Sequence, residues 1–140
     1  MAMFFRLMRW LRKRGSCFIG YALVVTQDAE LKCLLSNMLM DVELYPYCFP
    51  DVDAVKEIVR RAIPFRLLIL DLQTVSCEEI QIICRARSNR LVPFIILSDA
   101  NEARWIQKAG IEERCLYFVP KPINVKQLRE TILIARLQTT

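Results

Sequence analysis

The sequence contains no histidine, and this absence excludes several classes of enzyme. Without an imidazole there is no Ser-His-Asp or Cys-His nucleophile, no histidine general base and no histidine-containing zinc or iron site. Glycine is also scarce, with Gly15, Gly20 and Gly110 as the three instances. Their spacing excludes the GxxxxGK[ST] phosphate loop and the GxGxxG dinucleotide fingerprint. Nucleotide hydrolysis by a familiar route is thereby excluded, and we expect a protein that is not an enzyme.

Paired cysteines and long apolar runs are missing as well. The six cysteines show no CxxC pair, and most fall inside apolar runs: Cys17, Cys33, Cys48, Cys77, Cys84 and Cys115. We interpret them as small core residues of a protein in a reducing compartment. The run at residues 17–25 is shorter than the roughly 18 residues of a membrane span and lacks a small-residue signal-cleavage site. We therefore expect a cytoplasmic protein in which this run forms a strand.

Basic residues outnumber acidic ones, but the excess lies in one segment. The 140 residues include 20 Lys and Arg against 15 Asp and Glu, a formal net charge of +5. Residues 1–16 contain five basic residues and no acid: Arg6, Arg9, Arg12, Lys13 and Arg14. The rest of the chain is therefore neutral, and we expect no binding to nucleic acid. Two parts are predicted, a basic N-terminal extension at residues 1–16 and one globular domain at residues 17–140.

The N-terminal extension has the pattern of a basic amphipathic helix. At about 100° per residue its basic side chains fall opposite an apolar arc, which contains Met3, Phe4, Leu7, Met8, Trp10 and Leu11. Two interpretations stay open. Either the extension is loosely attached or folded back on the domain, as terminal segments commonly are, or residues 3–14 lie on an anionic membrane surface.

The rest of the chain alternates short apolar runs with amphipathic stretches. The runs predict strands at residues 22–25, 42–48, 67–70, 92–97 and 115–119. Most are continuously apolar, as in parallel strands that are covered on both faces. The second run contains Pro46, which cannot donate a hydrogen bond to a neighbouring strand, so we expect it at a sheet edge. The pattern predicts an α/β fold built on a doubly wound, five-stranded parallel sheet.

Five helices are predicted between and after these strands. Their starts carry capping residues, at Asp28, Asp51, Ser76 with Glu79, Asn101 and Asn124. The spacing of apolar residues places Ala62 of the second helix and Val125 of the last helix on inward faces. The last helix is also apolar on a second side, through Leu133, Ile134 and Leu137. We expect that second side to be a partner surface.

Polar residues follow four of the five predicted strands. They are Thr26, Gln27 and Asp28 after the first strand, Asp71 after the third, Ser98 and Asp99 after the fourth, and Lys121 after the fifth. In a doubly wound sheet the functional crevice lies outside the carboxyl ends of the strands. One rim of the sheet is therefore expected to gather a carboxylate, a hydroxyl and an ammonium group.

These residues resemble the site of the response-regulator receiver domain of two-component signalling. The resemblance covers residues 21–137 and rests on the order and spacing of Asp71, Ser98 and the Lys121-Pro122 pair. It implies a flavodoxin-like fold with strand order 2-1-3-4-5. It also implies that Asp71 is a phospho-acceptor, that Ser98 and Lys121 contact the phosphate, and that Phe118 is the aromatic that repositions when the hydroxyl engages.

The sequence departs from this family at the acidic pocket. The family holds Mg²⁺ with two acidic residues directly after the first strand, and this chain has Thr26 and Gln27 there. Asp28 lies one place further on, where a helix cap is expected. Asp71 is then the one assured carboxylate for a metal, so we expect no cofactor or a weakly bound Mg²⁺.

Three functions follow from the resemblance and the N-terminal extension. The first is an atypical receiver, or pseudo-receiver, that acts as a single-domain interaction module in a phosphorelay with weak or absent Mg²⁺-dependent phosphorylation. The second is a working receiver phosphorylated on Asp71, and the third is a membrane-surface scaffold that uses the basic helix. The resemblance implies a protein partner, a histidine kinase or a downstream effector, and a homodimer through the fourth helix, fifth strand and fifth helix.

Overall fold

The computed structural model describes residues 18–86, 92–99 and 116–138. Within these ranges the elements are β1 (Gly20–Val25), α1 (Ala29–Asp41), β2 (Leu44–Phe49), α2 (Asp53–Arg60), β3 (Leu67–Asp71), α3 (Cys77–Ala86), β4 (Phe94–Ser98), β5 (Leu116–Pro120) and α4 (Val125–Gln138). The predicted N-terminal extension and the helix predicted to start at Asn101 lie outside the described residues. No described helix is long and apolar enough to cross a bilayer.

The five strands form one parallel sheet in the order β2-β1-β3-β4-β5. This arrangement confirms the predicted α/β fold and its strand order. All residues of β3 and β4 are buried, because helices cover both faces of the sheet, and this explains their continuous apolar runs. Pro46 lies in β2, beside Ala22 of β1, and β2 is an edge strand as predicted.

Two apolar layers cover the two faces of the sheet. One layer joins α2 and α3 to the sheet through Val55, Ile58, Ile80 and Ile83. The other joins α1 and α4 to the opposite face through Leu35, Leu39, Leu128 and Ile132. Val125 was expected inward in α4, but it is 45% exposed. The prediction is wrong there because α4 first packs on the sheet at Leu128, one turn later.

Three of the four described helices begin at the predicted caps. Asp28 Oδ1 accepts two backbone N–H groups of α1, at 3.0 and 3.2 Å. Ser76 and Glu79 form the predicted capping box, with Ser76 Oγ accepting the Glu79 N–H at 3.2 Å and Glu79 Oε1 accepting the Ser76 N–H at 3.3 Å. Asn124 Oδ1 accepts the N–H three residues further on, at 3.1 Å. These caps fix where α1, α3 and α4 leave the rim.

The second helix differs from the prediction at both ends. It begins at Asp53 after Val52, which provides no side-chain cap. Asp51 Oδ1 instead accepts the Asp53 N–H at 3.0 Å, which forms a turn just before the helix. Ala62 is exposed and lies beyond the last helical residue, Arg60, with a φ of 54° that turns the chain back toward the sheet. The helix is therefore shorter than its apolar pattern predicts.

The cysteine prediction is also wrong at one position. Cys48 and Cys84 are half-buried against the two layers, as expected. Cys33 is exposed, because the inward side of α1 is taken by Leu31 and Leu35, and a residue two positions past Leu31 falls on the outer side.

An aromatic cluster covers the start of the edge strand. Tyr45 and Tyr47 of β2 have ring centroids 5.1 Å apart, and Tyr21 of β1 lies 5.8 Å from Tyr47. Phe18 packs edge-on against Tyr45 at 5.1 Å. Burial raises the pKa of Tyr47 to about 12, with smaller contributions from Tyr45 and Tyr21. The cluster holds the entry to β1 against β2.

Candidate functional site

Asp71 is the last residue of β3, and its carboxylate is the centre of the site. The apolar run at residues 67–70 buries the strand, so Asp71 reaches the rim with only 3% of its surface exposed. Lys121 Nζ donates to Oδ1 at 2.5 Å, and Thr26 Oγ1 donates to Oδ2 at 2.9 Å. The backbone N–H of Gln73 donates to Oδ1 at 3.2 Å. Both carboxylate oxygens are therefore engaged by groups of the protein itself.

Thr26 follows β1 and is 4% exposed. Besides donating to Asp71, its Oγ1 accepts the N–H of Asp28 at 3.1 Å. The hydroxyl therefore serves as donor and acceptor at once, which fixes its rotamer and ties β1 to β3. Thr26 occupies the first of the two positions where the resemblance expects an acid, and it supplies a neutral donor in place of a carboxylate.

Gln27 and Asp28 make their contacts away from Asp71. Gln27 is exposed, and its Nε2 donates to the carbonyl of Pro50 at 3.3 Å, in the loop after β2. Asp28 is the side-chain cap of α1. Of the two candidate pocket positions after Thr26, one therefore supports a loop and the other supports a helix.

Lys121 extends from the loop that follows β5. Its side chain is 22% exposed, against 4% for that of Asp71. Its backbone N–H donates to the carbonyl of Ser98 at 3.0 Å, which holds the loop beside the end of β4. The Lys121-Pro122 peptide bond is cis. The ion pair between Lys121 and Asp71 neutralises the carboxylate, which would otherwise be a buried charge without a partner.

Ser98 closes β4 and is 1% exposed. It lies one residue beyond Leu97, which is the register partner of Asp71. Within the described part of the chain, Ser98 Oγ has no hydrogen-bond partner. A buried polar group left unpaired costs about 1–3 kcal/mol. Asp99, which follows Ser98, is exposed.

Phe118 lies in β5, three residues before Lys121, and pairs in register with Ile96 of β4. Its ring is half-buried and packs against the apolar layer of α2 and α3. The structure therefore brings Thr26, Asp71 and Lys121 into direct contact, and it places Phe118 in the layer beneath the rim.

The loop after β3 contributes contacts that the sequence analysis missed. Gln73 donates its backbone N–H to the Asp71 side chain. Thr74 donates its Oγ1 proton to the Asp71 carbonyl at 2.8 Å and its N–H to the same oxygen at 3.0 Å. The signal was present in the sequence, because an Asp that accepts the N–H two residues later forms an Asx turn.

The side chains around Asp71 do not form the set of ligands that Mg²⁺ prefers. The ion prefers hard oxygen ligands in octahedral geometry, usually from one or two carboxylates together with phosphate and water. Asp71 is the one carboxylate at the centre of this rim, and Lys121 is already bonded to it. Among the side chains that the structure describes, no three Asp, Glu, Cys or His residues are grouped to hold a metal ion.

Comparison with known proteins finds similarity at the level of structure. No protein-family model matches the sequence, and no curated protein matches it. The chain is similar to full-length FixJ from B. japonicum, with a TM-score of 0.67 and 20% identity over 87% of this chain and 60% of that one. The chain thus spans less than two thirds of FixJ.

Two isolated receiver domains are similar over almost their whole length. One is the receiver domain of the sensor histidine kinase PA1611 from Pseudomonas aeruginosa PAO1, solved with a magnesium ion in its active-site cleft. Its TM-score is 0.66 and its identity 17%, over 84% of this chain and 97% of that one. The other is the beryllofluoride-activated NtrC4 receiver domain dimer. Its TM-score is 0.66 and its identity 19%, over 86% of this chain and 98% of that one. The chain has the fold of response-regulator receiver domains.

Proposed function

We propose that the protein is an atypical receiver: a cytoplasmic interaction module of a two-component pathway whose docking to a protein partner does not depend on phosphorylation of Asp71. One observation carries the proposal. Both oxygens of the Asp71 carboxylate are bonded within the protein, to Lys121 and the Gln73 N–H on one side and to Thr26 on the other.

The electrostatics of phosphoryl transfer support this proposal. Transfer onto a carboxylate brings negative oxygens together, so the reaction needs a cation that neutralises them and holds donor and acceptor in line. A unit-charge pair at 4 Å is worth roughly 4 kcal/mol at an effective dielectric of 20. A neutral hydrogen bond from a group such as Thr26 has a net worth of about 1 kcal/mol. Replacing carboxylates by Thr26 and Gln27 therefore removes most of the attraction for a divalent ion.

The ion pair adds a second obstacle. Lys121 neutralises Asp71 in the resting protein, and the side chains after β1 are committed to Pro50 and to the start of α1. A phosphoryl donor would have to displace bonds that already stabilise the buried carboxylate. We therefore expect the rim to stay in one state, with Asp71 bonded to Lys121 and Thr26. The surface of the domain, and not the rim, would then contact a histidine kinase or an effector.

A second candidate function, phosphorylation of Asp71, has one observation in its favour. Ser98 Oγ is buried and has no partner among the described residues, and the resemblance gives this position a phosphate contact. A phosphoryl group on Asp71 would supply the missing acceptor.

Incubation with acetyl phosphate and Mg²⁺, followed by intact mass measurement, separates the two candidates. We expect no stoichiometric gain of mass in the parent chain or in Asp71→Asn. A gain of one phosphoryl group in the parent chain alone would establish the working receiver. Asp53→Asn, at the exposed start of α2, is the matched control, since it removes a carboxylate without touching the rim.

A further inference from the structure

The sheet ends on one side in a strand without charged residues. This strand is β2, and within the described part of the chain no further strand lies beyond it. Its six residues, Leu44–Phe49, read LYPYCF. An edge strand exposes a row of backbone N–H and C=O groups, which proteins commonly protect with lysine, proline or a bulge. Uncharged strands rich in tyrosine and phenylalanine pair readily with other chains. The edge of β2 therefore needs protection against strand addition.

The backbone hydrogen bonds show which residues of β2 face outward. In a parallel strand, successive residues direct their N–H and C=O groups to opposite sides in alternation. The Phe49 carbonyl accepts the N–H of Thr26 at 3.1 Å, so Phe49 and the residues two and four positions before it face β1. The residues between them have the opposite direction. Leu44, Pro46 and Cys48 therefore direct their backbone groups away from the sheet.

Pro46 is the middle one of these three outward-facing residues. Proline has no N–H to donate, and its ring occupies the place of that hydrogen. Two copies of β2 that paired antiparallel about a two-fold axis at this position would set the two Pro46 residues opposite each other. Both hydrogen bonds of the central pair would then be missing, and both proline carbonyls would be covered without a donor. Pairing at this edge is therefore unfavourable at its centre.

The opposite edge of the sheet places a proline in the same direction. The Lys121 N–H donates to the Ser98 carbonyl at 3.0 Å, so Lys121 and the residue two positions before it face β4. Pro120, the last residue of β5, lies between them and directs its backbone away from β4. Pro120 thus ends the outward row of β5, whereas Pro46 interrupts the outward row of β2. Of the two prolines, Pro46 has the stronger effect on strand pairing.

We infer that Pro46 blocks strand addition at the edge of β2, and that the strand it keeps away is β2 of a second copy of this chain. A two-fold pairing is the one in which both chains lose a donor at the same place, so the block is strongest against self-association. Docking to a protein partner then uses side chains and not the edge of the sheet. The inference goes beyond the proposed function, because it does not depend on whether Asp71 accepts a phosphoryl group.

Pro46→Val in the full-length chain provides the test. The substitution restores the outward N–H and adds a residue that favours strands. Pro64→Val is the matched control, since Pro64 is exposed in the loop between α2 and β3 and lies on no strand edge. Sedimentation velocity over a wide range of protein concentration measures association. A reductant is present throughout because Cys33 is exposed, and circular dichroism checks that each variant is folded.

Pro46→Val should raise the self-association constant at least about 30-fold over the parent chain, because two covered carbonyls gain a donor. Hydrogen–deuterium exchange should then show that peptides covering β2 become more protected as protein concentration rises, while peptides covering α4 do not. Pro64→Val should sediment as the parent chain does. Pro46→Thr restores the same N–H with a more polar side chain and should associate in the same way.

Unchanged sedimentation of a folded Pro46 variant would overturn the inference. Equal association of Pro64→Val would do so too, because it would assign the effect to the added apolar side chain. Added protection outside β2 alone would place the contact elsewhere on the surface. Loss of folding in both Pro46→Val and Pro46→Thr would show that Pro46 serves the strand itself, and would also contradict the inference.

Discussion

Two buried hydroxyl groups lie at the rim near Asp71, and the protein uses them differently. On the β1 side, Thr26 Oγ1 donates to Asp71 and accepts from the Asp28 N–H. On the β4 side, Ser98 is just as buried, yet its Oγ has no partner within the described residues. The β1 side is therefore complete without a ligand, whereas the β4 side leaves one polar group unsatisfied. The difference separates residues that hold the rim together from a residue that could still contact a ligand.

Lys121→Met should have the largest effect on this rim, because it leaves the buried Asp71 charge without its cation. Removing one partner of a buried pair costs about 3–5 kcal/mol. Since the Lys121 side chain is 22% exposed, we expect a loss of about 3 kcal/mol in the free energy of unfolding. Urea denaturation measures the loss, and Lys126→Met on the exposed surface of α4 is the control. A loss below 1 kcal/mol would show that Asp71 does not need the pair.

Thr26→Val tests whether the β1 side is structural. The substitution keeps the shape of the side chain but removes the donor to Asp71 and the acceptor for the Asp28 N–H. We expect a loss of about 2 kcal/mol, because it leaves buried polar groups unpaired. Thr26→Ser keeps the hydroxyl and should lose less than half as much. A larger loss for Thr26→Ser than for Thr26→Val would instead assign the contribution of this position to packing of the methyl group.

Gln27→Asp should restore part of the missing acidity on the β1 side. We expect the variant to bind Mg²⁺ weakly, so that Mg²⁺ at about 10 mM, roughly five times its dissociation constant for the variant, raises the free energy of unfolding by about 1 kcal/mol. The parent chain should show no Mg²⁺-dependent shift in thermal unfolding. Gln127→Asp on α4, also exposed, controls for added charge. The same Mg²⁺ response in parent and variant would mean that Asp71 binds the ion without help from the β1 side.

Ser98→Ala should have the smallest effect. Its hydroxyl has no partner to lose among the described residues, so removal relieves the cost of a buried, unpaired group. We expect the free energy of unfolding to stay level or rise by up to about 1 kcal/mol. The informative comparison is with Thr26→Val, measured under the same conditions. A loss of similar size in both variants would remove the distinction between the two hydroxyls.

The sequence predicted the elements because the relevant signals are local, whereas the full strand order was implied by the resemblance to receiver domains. Alternating apolar runs and caps define the elements, and Pro46 identifies the edge strand. The errors at Asp51 and Ala62 arise where a turn and a left-handed residue shorten α2, since an apolar period does not show where a helix stops. Cys33 was misplaced because an apolar preference alone does not decide which side of α1 a residue takes.

The candidate site was predictable in position but not in bonding. A parallel sheet brings the ends of its strands to one edge, so Asp71, Ser98 and Lys121 could be assigned to the rim from the order of strands. The bond from Thr26 to Asp71 could not, because it depends on the rotamer of a buried hydroxyl, which the expected position of β1 beside β3 does not specify. The sequence indicates the missing acid, and only the structure shows what the replacement does.

The bonds of Asp71 also bear on the order of folding. Its carboxylate ties it to Thr26, 45 residues earlier, and to Lys121, 50 residues later, so three non-consecutive strands meet at one side chain. Contacts that close loops of this length are slow to form, because the chain must lose entropy before they are made. They should therefore be absent from the transition state for folding. On that basis, the loss caused by Lys121→Met appears almost entirely as faster unfolding, while the folding rate stays nearly unchanged.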